Sequence, residues 1–158
     1  MVSSESNIIN QKIWKLLEEV CDPEIPVLSV LDLGIVRDVI TADDETEIVI
    51  TPTYSGCPAM DAISMDIRLK LLEHGYKKIK ITSVLSPAWT TEWMTEEGKL
   101  KLNKYGIAPP GKSAGVLPHC PQCGSADTKL LSQFGSTSCK ALFQCNSCKE
   151  PFDQFKCH

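Results

Sequence analysis

The spacing of apolar residues in the first part of the chain predicts a helix followed by a β-hairpin. From about Asn7 to Val20 apolar residues recur every three or four positions, which indicates a helix with one apolar face. That face comprises Ile8, Ile9, Ile13, Leu16, Leu17 and Val20. Two strand-like runs, 35–40 and 47–51, then flank a polar turn, as expected for an antiparallel hairpin.

Helical and strand patterns continue to about Tyr105. After Pro58 two neighbouring apolar stripes predict a helix with a wide buried face. One stripe holds Met60, Ile63, Ile67 and Leu71, and the other holds Ala62, Met65, Leu69 and Leu72. Residues 78–85 alternate as a third strand, and Thr90 or Thr91 could cap a helix that ends near Tyr105. Residues 1–106 are therefore predicted to form an α+β domain in the order αββαβα.

The stretch 51–59, Thr-Pro-Thr-Tyr-Ser-Gly-Cys-Pro-Ala, joins the second strand to the long helix. If Pro58 is the first helical residue, Cys57 takes the N-cap position, where the helix dipole favours a thiolate. Gly56 lets a ligand approach the backbone closely. Cys57 is thus a candidate functional thiol, although a small buried side chain in a tight turn would have the same local sequence.

A second candidate feature is the turn Cys-Asp-Pro-Glu-Ile-Pro at 21–26, where two prolines end the first helix. Its two carboxylates, Asp22 and Glu24, could bind a metal ion or help to activate a nearby thiol. Solvated turn residues and helix caps have the same sequence signature. The local pattern leaves both interpretations open.

Cysteines are concentrated near the C-terminus. Residues 107–118 lack periodicity and contain three prolines, which indicates a linker. In 119–158 the pairs Cys120/Cys123 and Cys145/Cys148 form two C-x-x-C knuckles, the ligand pattern of a structural zinc ribbon with four cysteine ligands. An iron–sulfur pattern through Cys139, Cys145, Cys148 and Cys157 fits less well, because the first gap is wrong for a plant-type ferredoxin.

Composition narrows the functional class. Hydrophobic residues make up 42% of the chain and charged residues 23%, with a formal net charge of −4, which is an ordinary soluble composition and indicates no preference for nucleic acid. The tail has four lysines against three acidic residues, which is weak for nucleic-acid binding. We find no signal-peptide pattern and no run long enough to span a membrane, so we expect a cytoplasmic protein. In that reducing compartment the cysteines favour metal binding over disulfides.

Three motifs together resemble a known family: Asp22-Pro-Glu-Ile-Pro, Leu31-Asp-Leu-Gly-Ile-Val and the 51–58 stretch that contains Cys57. Residues from about 10 to 106 resemble the small metal–sulfur cluster biosynthesis family, whose members take part in iron–sulfur protein maturation. The resemblance implies that Cys57 matches the reactive cysteine of that family, and that Asp22 and Glu24 match the pair of carboxylates on a turn that assists it. With the tail and the stretch 87–98, the whole chain resembles the PaaD-type subunits of bacterial phenylacetyl-CoA epoxidase systems.

This resemblance implies an accessory role in phenylacetate degradation rather than a catalytic subunit. The expected partners are a di-iron oxygenase and its flavin- and iron–sulfur-containing reductase. The expected cargo is transient iron or an iron–sulfur cluster, and the tail is expected to hold structural zinc. A homodimer is compatible with the resemblance. The alternative is an electron carrier or structural subunit with a stable cluster in the tail. A thiol oxidoreductase is less well supported, because the C-x-x-C pairs lie outside a βαβ context.

Overall fold

The order of elements in the first domain follows the predicted αββαβα pattern. The computed structural model describes residues 4–111 and 115–156 of the protein. The domain consists of α1 (Ser4–Leu17), β1 (Val36–Ala42), β2 (Glu45–Ile50), α2 (Ala59–Glu73), β3 (Lys78–Ser83) and α3 (Glu96–Tyr105). A cysteine-rich β-sheet module follows it. The predicted α+β fold class is confirmed.

The three strands form one sheet in the order β1-β2-β3. β1 and β2 are antiparallel, as predicted for the hairpin, whereas β2 and β3 are parallel because α2 connects them as a crossover. Ile50 at the end of β2 is in register with Ser83 at the end of β3. The loop that contains Cys57 and the segment after β3 therefore leave the sheet at the same edge.

The core of the first domain lies where α1 and α2 pack on the sheet. Ile13 and Leu17 of α1 and Ile67 and Leu71 of α2 are completely buried, as is Ile48 of β2. Each such side chain contributes about 1.5–3 kcal/mol by leaving water. Apolar burial alone therefore gives this domain a strong driving force for folding.

Both long helices bury less than predicted. α1 begins and ends about three residues earlier than predicted, and its residues Ile8 and Ile9 are exposed. In α2 only one of the two stripes is buried. The second stripe is exposed: Ala62, Met65, Leu69 and Leu72. The predicted wide buried face is wrong, because α2 packs against α1 and the sheet and no other described element covers its outer side.

The last predicted helix is two separate elements. Thr90 caps a 3-10 turn, Thr91–Trp93, and Met94 then takes an extended conformation with ψ 140°. α3 begins at Glu96, where the side chain of Thr95 accepts a hydrogen bond from the Gly98 N–H at 2.9 Å. The N-cap of α3 is thus Thr95, neither Thr90 nor Thr91.

The C-terminal module is a four-stranded sheet in the order β4-β7-β6-β5. Its strands are β4 (Ile107–Ala108), β5 (Thr128–Ser132), β6 (Lys140–Cys145) and β7 (Pro151–Phe155). β4 pairs in parallel with β7, so the first residues of the predicted linker 107–118 belong to this sheet. We refer to the described part of 107–156 as the ribbon.

The ribbon is anchored in the core of the first domain. Phe155, which is 2% exposed, and Cys139 belong to the same buried cluster as the core residues of that domain. The Phe155 ring meets the Trp89 ring edge to face, with centroids 5.9 Å apart. Trp89 is fixed in turn, because its indole N–H donates to the Leu33 carbonyl at 2.8 Å. The two parts of the chain therefore share one core.

Candidate metal and thiol sites

Two similar turns present the four ribbon cysteines. In the first turn the Gly124 N–H donates to the Cys120 carbonyl at 2.8 Å, and in the second the Lys149 N–H donates to the Cys145 carbonyl at 3.0 Å. Gly124 and Lys149 both have positive φ, 76° and 69°. Each turn folds back so that both sulfur atoms of its C-x-x-C pair point to the same side.

The four sulfur atoms of Cys120, Cys123, Cys145 and Cys148 converge within 4.8 Å of one another. The distances between sulfur atoms are 3.7 Å for Cys120 and Cys148 and 3.5 Å for Cys123 and Cys145. A tetrahedral ion with metal–sulfur bonds of about 2.3 Å places its ligands about 3.8 Å apart. The predicted cluster therefore has the geometry of a tetrahedral tetrathiolate metal site.

The charge balance of this cluster favours a cation. The backbone N–H of Cys148 lowers the pKa of Cys145 to about 6, so one thiolate forms readily. The backbone N–H of Glu150 lowers the pKa of Cys148, but burial and the neighbouring thiols outweigh it and raise that pKa to about 12. Further thiolates in this small volume need a positive ion to neutralise them.

Cys139 lies outside the tetrathiolate cluster, in the core shared with the first domain. The iron–sulfur pattern through Cys139, Cys145 and Cys148 is therefore not assembled in this structure. Cys157, the fourth member of that pattern, and His158 lie outside the described residues.

Cys57 lies just before α2, half-buried. The helix begins at Ala59 with Pro58 in the N-cap position, so Cys57 is one residue earlier than predicted. Pro58 nevertheless has helical dihedrals, φ −68° and ψ −20°, and the Cys57 carbonyl accepts a hydrogen bond from the Met60 N–H at 3.3 Å. The thiol thus remains beside the positive end of the α2 dipole.

Tyr54 is a polar neighbour of Cys57 that the sequence pattern did not reveal. The Cys57 N–H donates to the Tyr54 carbonyl at 3.3 Å, and burial together with the Cys57 thiol raises the pKa of Tyr54. Cys139 and Glu24 raise that pKa further. Tyr54 was visible in the sequence only as part of the 51–59 loop, with no spacing that marked it.

The two predicted carboxylates have different surroundings. Asp22 accepts hydrogen bonds from the backbone N–H groups of Glu24 and Ile25, at 2.7 and 3.0 Å, and so holds the turn closed. Glu24 is half-buried and interacts electrostatically with Tyr54. In the described ranges 4–111 and 115–156, the four ribbon cysteines are the one group of three or more ligand side chains that converges. Asp22, Glu24 and Cys57 therefore do not form a preformed metal site in the described part of the chain.

A partly buried ion pair between Asp32 and Lys101 links the segment before β1 to α3. Asp32, 6% exposed, accepts hydrogen bonds from the Ser29 N–H at 3.0 Å and from Lys101 at 2.8 Å. Burial on its own would raise the pKa of Asp32, but the bonds from Lys101 and Ser29 outweigh it and hold that pKa below its usual value. An acidic residue inside the apolar segment 25–36 was the sequence signal for this network.

Comparison with known proteins identifies the family. The chain is 49% identical over 151 residues to an Escherichia coli K12 protein provisionally named as a subunit of 1,2-phenylacetyl-CoA epoxidase, with 92% of each chain covered. The chain belongs to the PaaD family. Residues 110–156 of this PaaD-family chain match the family described as PaaD zinc beta ribbon domain, and residues 10–82 match the one described as iron-sulfur cluster assembly protein.

This PaaD-family chain also matches shorter proteins over part of its length. It is 39% identical over 94 residues to an Fe-S protein maturation auxiliary factor of Porphyromonas gingivalis, covering 58% of this chain and 89% of that protein. A crystal structure of a DUF59 domain from Bacillus anthracis superposes with a TM-score of 0.59 at 29% identity, over 62% of this chain and 94% of that one. The predicted resemblance is confirmed. No helix among the described residues of the PaaD-family chain has the length and apolar character to span a bilayer.

Proposed function

We propose that this protein is a non-catalytic accessory factor that helps to insert or repair an iron–sulfur or iron centre in the oxygenase or reductase of a phenylacetyl-CoA epoxidase system. One observation carries the proposal. Some 92% of the chain aligns with a protein named as an epoxidase subunit, 58% of it aligns with an Fe-S protein maturation auxiliary factor, and residues 10–82 match an iron-sulfur cluster assembly family. A maturation domain fused to a ribbon found in the epoxidase family fits a factor dedicated to that complex.

In this proposal Cys57 handles the cargo, as a transient ligand of iron or of a cluster or as a sulfur-carrying thiolate. The position of Cys57 beside the N-terminal end of α2 supports this role, because the positive end of the helix dipole attracts anionic groups. Glu24, on the neighbouring turn, would supply an oxygen ligand or accept a proton. Asp22 would keep that turn in place through its two backbone hydrogen bonds.

The ribbon would hold one structural zinc ion through Cys120, Cys123, Cys145 and Cys148. A zinc ion bound by four thiolates has no open position for a substrate, so its contribution is folding free energy rather than chemistry. We propose 1–106 as the cluster-handling domain, 107–118 as the connection, and 119–158 as the module that docks the client protein.

Replacing Cys57 with Ser tests the proposal. Co-expressed with the client reductase and oxygenase, the variant should lower iron–sulfur or iron occupancy of the client about tenfold, the scale on which lost metal-site support acts. The measurement is iron and acid-labile sulfide per client chain. Cys21→Ser is the matched control, because Cys21 is also a half-buried thiol of the first domain. Client occupancy equal to wild type in the Cys57 variant would refute the role of this thiol.

A second candidate function is electron transfer, because a tetrahedral tetrathiolate site accepts iron as well as zinc. An electron carrier purified without oxygen would contain stoichiometric iron and absorb visible light. The accessory factor should contain about one zinc ion per chain and be colourless.

A further inference from the structure

The outer side of α2 carries an aligned row of exposed apolar side chains. We call this row the α2 stripe: Ala62, Met65, Leu69 and Leu72. Its three larger side chains are, in chain order, 58%, 49% and 46% exposed. Single exposed apolar side chains are ordinary on a protein surface, whereas a continuous apolar row is typical of a binding surface. The α2 stripe is therefore a candidate contact surface.

The spacing of the α2 stripe is suited to another helix. Positions 62, 65, 69 and 72 alternate steps of three and four residues, which is the a/d pattern of helix pairs. Ile63, Ile67 and Leu71, on the other side of α2, are buried against α1 and the sheet. No element within the described ranges 4–111 and 115–156 packs on the stripe. One side of α2 is thus packed, and the other has the pattern of a helix-packing surface.

An acidic depression borders the α2 stripe. It lies between α2 and the segment after α1, and Leu69 of the stripe forms part of its wall. Its charged residues are Glu19, Asp66, Lys70 and Glu73. Lys70 is paired with Glu19, whereas no cation among the described residues forms an ion pair with Asp66 or Glu73. The depression therefore holds two negative charges that the described part of the chain does not neutralise.

The opposite border of the α2 stripe carries balanced charges. Asp61 and Arg68 lie on that side of the helix, and both are exposed. Arg68 Nη1 donates a hydrogen bond to the Ile79 carbonyl at 2.8 Å, which holds the guanidinium group toward β3. The excess charge around the stripe is therefore negative and lies in the depression. Such a border attracts cationic side chains of a partner.

We propose that the α2 stripe binds an amphipathic helix of the client protein, with apolar side chains on the stripe and lysine or arginine side chains in the acidic depression. That the helix belongs to the client rests on the proposed function. The stripe begins about one turn into α2, and Cys57 lies just before that helix. A client helix bound along the stripe therefore brings the client to the end of α2 that carries the proposed cargo thiol.

A second copy of this chain fits the α2 stripe less well. Two copies related by a two-fold axis present the same surface to each other, so Asp66 and Glu73 of both copies would enter one interface. Carboxylates brought together without cations oppose association. A helix with basic residues beside its apolar side would pair with these carboxylates instead.

Synthetic helical peptides are suitable probes. The first peptide has leucines in the a/d pattern with lysines beside them, the second has glutamates in place of the lysines, and the third has glutamines in place of the leucines. The full-length protein with its ribbon site filled by zinc is titrated with each peptide, and the methyl signals are followed by NMR. The leucine–lysine peptide should shift the signals of Met65, Leu69 and Leu72. It should bind at least about tenfold more tightly than the other two, because each of them lacks one of the two interactions.

Two results of this titration would overturn the proposal. One is a set of shifts at other exposed leucines, such as Leu100 and Leu130, with none at the α2 stripe. The other is equal affinity for the lysine and glutamate peptides, since the acidic depression would then have no part in binding.

Reversing the charge of the depression tests its role directly. In the double variant Asp66→Lys, Glu73→Lys the preference should invert, so that the glutamate peptide binds more tightly than the lysine peptide. Both residues are exposed, so the fold should be retained. Asp44→Lys combined with Glu45→Lys is the matched control, because it changes the net charge equally at two other exposed carboxylates. A control that also inverts the preference would mean that net charge alone decides, against the proposal.

Leu69→Glu carries the test to the client. Leu69 is half-exposed, so the variant should unfold at the urea concentration of wild type. A charge in the stripe should nevertheless weaken binding to the purified reductase or oxygenase at least about tenfold, as measured by calorimetry. Leu100→Glu is the control, because Leu100 is 63% exposed on α3, and it should bind as wild type.

The results separate this inference from the proposed function. If Leu69→Glu binds the client as wild type while Cys57→Ser lowers client occupancy, the α2 stripe is not the docking surface and the proposed function stands. If Leu69→Glu loses the client while Cys57→Ser leaves occupancy unchanged, the docking surface stands and the role of Cys57 fails. A wild-type dimer in sedimentation velocity that Leu69→Glu converts to a monomer would assign the stripe to a second copy and overturn the proposal.

Discussion

The two parts of this protein are stabilised by different physical means. The first domain buries a continuous cluster of aliphatic side chains from α1, α2 and the sheet. Besides the side chains that it contributes to this cluster, the ribbon has a second, smaller cluster of six buried residues, two of which are metal-site cysteines: Ala108, Cys120, Ala141, Phe143, Cys145 and Phe152. The stacked pair Phe143 and Phe152 supplies the large apolar side chains of that described core. A segment of this size is too small to be stable through burial alone.

Because its own buried core is small, the ribbon depends on two supports from outside that core. One is the ion that its four thiolates are arranged to hold, and the other is the first domain, into which it inserts Phe155 and Cys139. The first domain depends less on the metal ion and on the ribbon, since most of its buried side chains are its own and its core does not need metal. Removing each support in turn should therefore affect the two parts unequally.

Loss of the metal site should have the largest effect. Cys145→Ser removes a fully buried ligand, so the ribbon should lose most of a metal-binding free energy of the order of 10 kcal/mol and unfold. Amide hydrogen exchange should then show loss of protection in β5, β6 and β7 but retained protection in β1, β2 and β3. Cys21→Ser should leave both regions protected. A ribbon that still resists proteolysis in the Cys145 variant would argue against a structural metal site.

Phe155→Ala should have the next largest effect and act on both parts. Truncating a phenylalanine that is 2% exposed costs about 3–5 kcal/mol, and here the cavity would open beside Trp89 in the shared core. The free energy of unfolding from urea titration and the tryptophan fluorescence of the native state should both change. Phe134→Ala is the control, because Phe134 is 60% exposed and its loss should cost less than about 1 kcal/mol. Equal effects of the two variants would contradict a shared core.

How far the sequence predicts this fold depends on whether a pattern is local. The order of elements follows from apolar periodicity, because helices and strands repeat with different periods. Periodicity does not show which apolar stripe of a helix packs against another element. Met65 and Leu69 continue the apolar pattern of α2 but are exposed, because no described element covers that side. The start of α3 was also misplaced, since several threonines could cap a helix and the extended Met94 decides which one does.

The candidate sites show the same limit. The C-x-x-C pairs predict their own cluster, because each turn brings two sulfurs together and two turns complete a tetrahedron. The surroundings of Cys57 could be predicted only through family resemblance. Tyr54 was not predicted as a neighbour of Cys57, because it is an ordinary loop residue, and the burial of Cys139 in the core of the first domain was not predicted either, because that core lies far from it in sequence. Cys139 and Phe155 join the buried cluster of the first domain through the tertiary fold, which no sequence spacing encodes.

Asp32→Asn should have a smaller effect than Cys145→Ser and Phe155→Ala. It tests how much charged hydrogen bonds add to apolar burial in stabilising the first domain. Loss of the charged hydrogen bonds from Lys101 and Ser29 should cost about 1–3 kcal/mol at neutral pH. The pKa of Asp32 is lowered in the folded state, so its contribution is complete above the unfolded value of about 3.9 and is lost as pH falls below about 4. Urea titrations from pH 3 to pH 7 should show the free energies of unfolding of wild type and variant converging at the acidic end.

Asp44→Asn is the control. Asp44 is 87% exposed and lies 3.8 Å from Lys78, an exposed ion pair worth less than about 1 kcal/mol. A constant difference between Asp32→Asn and wild type across this pH range would mean that Asp32 acts by shape alone and that its charge adds nothing to the first domain.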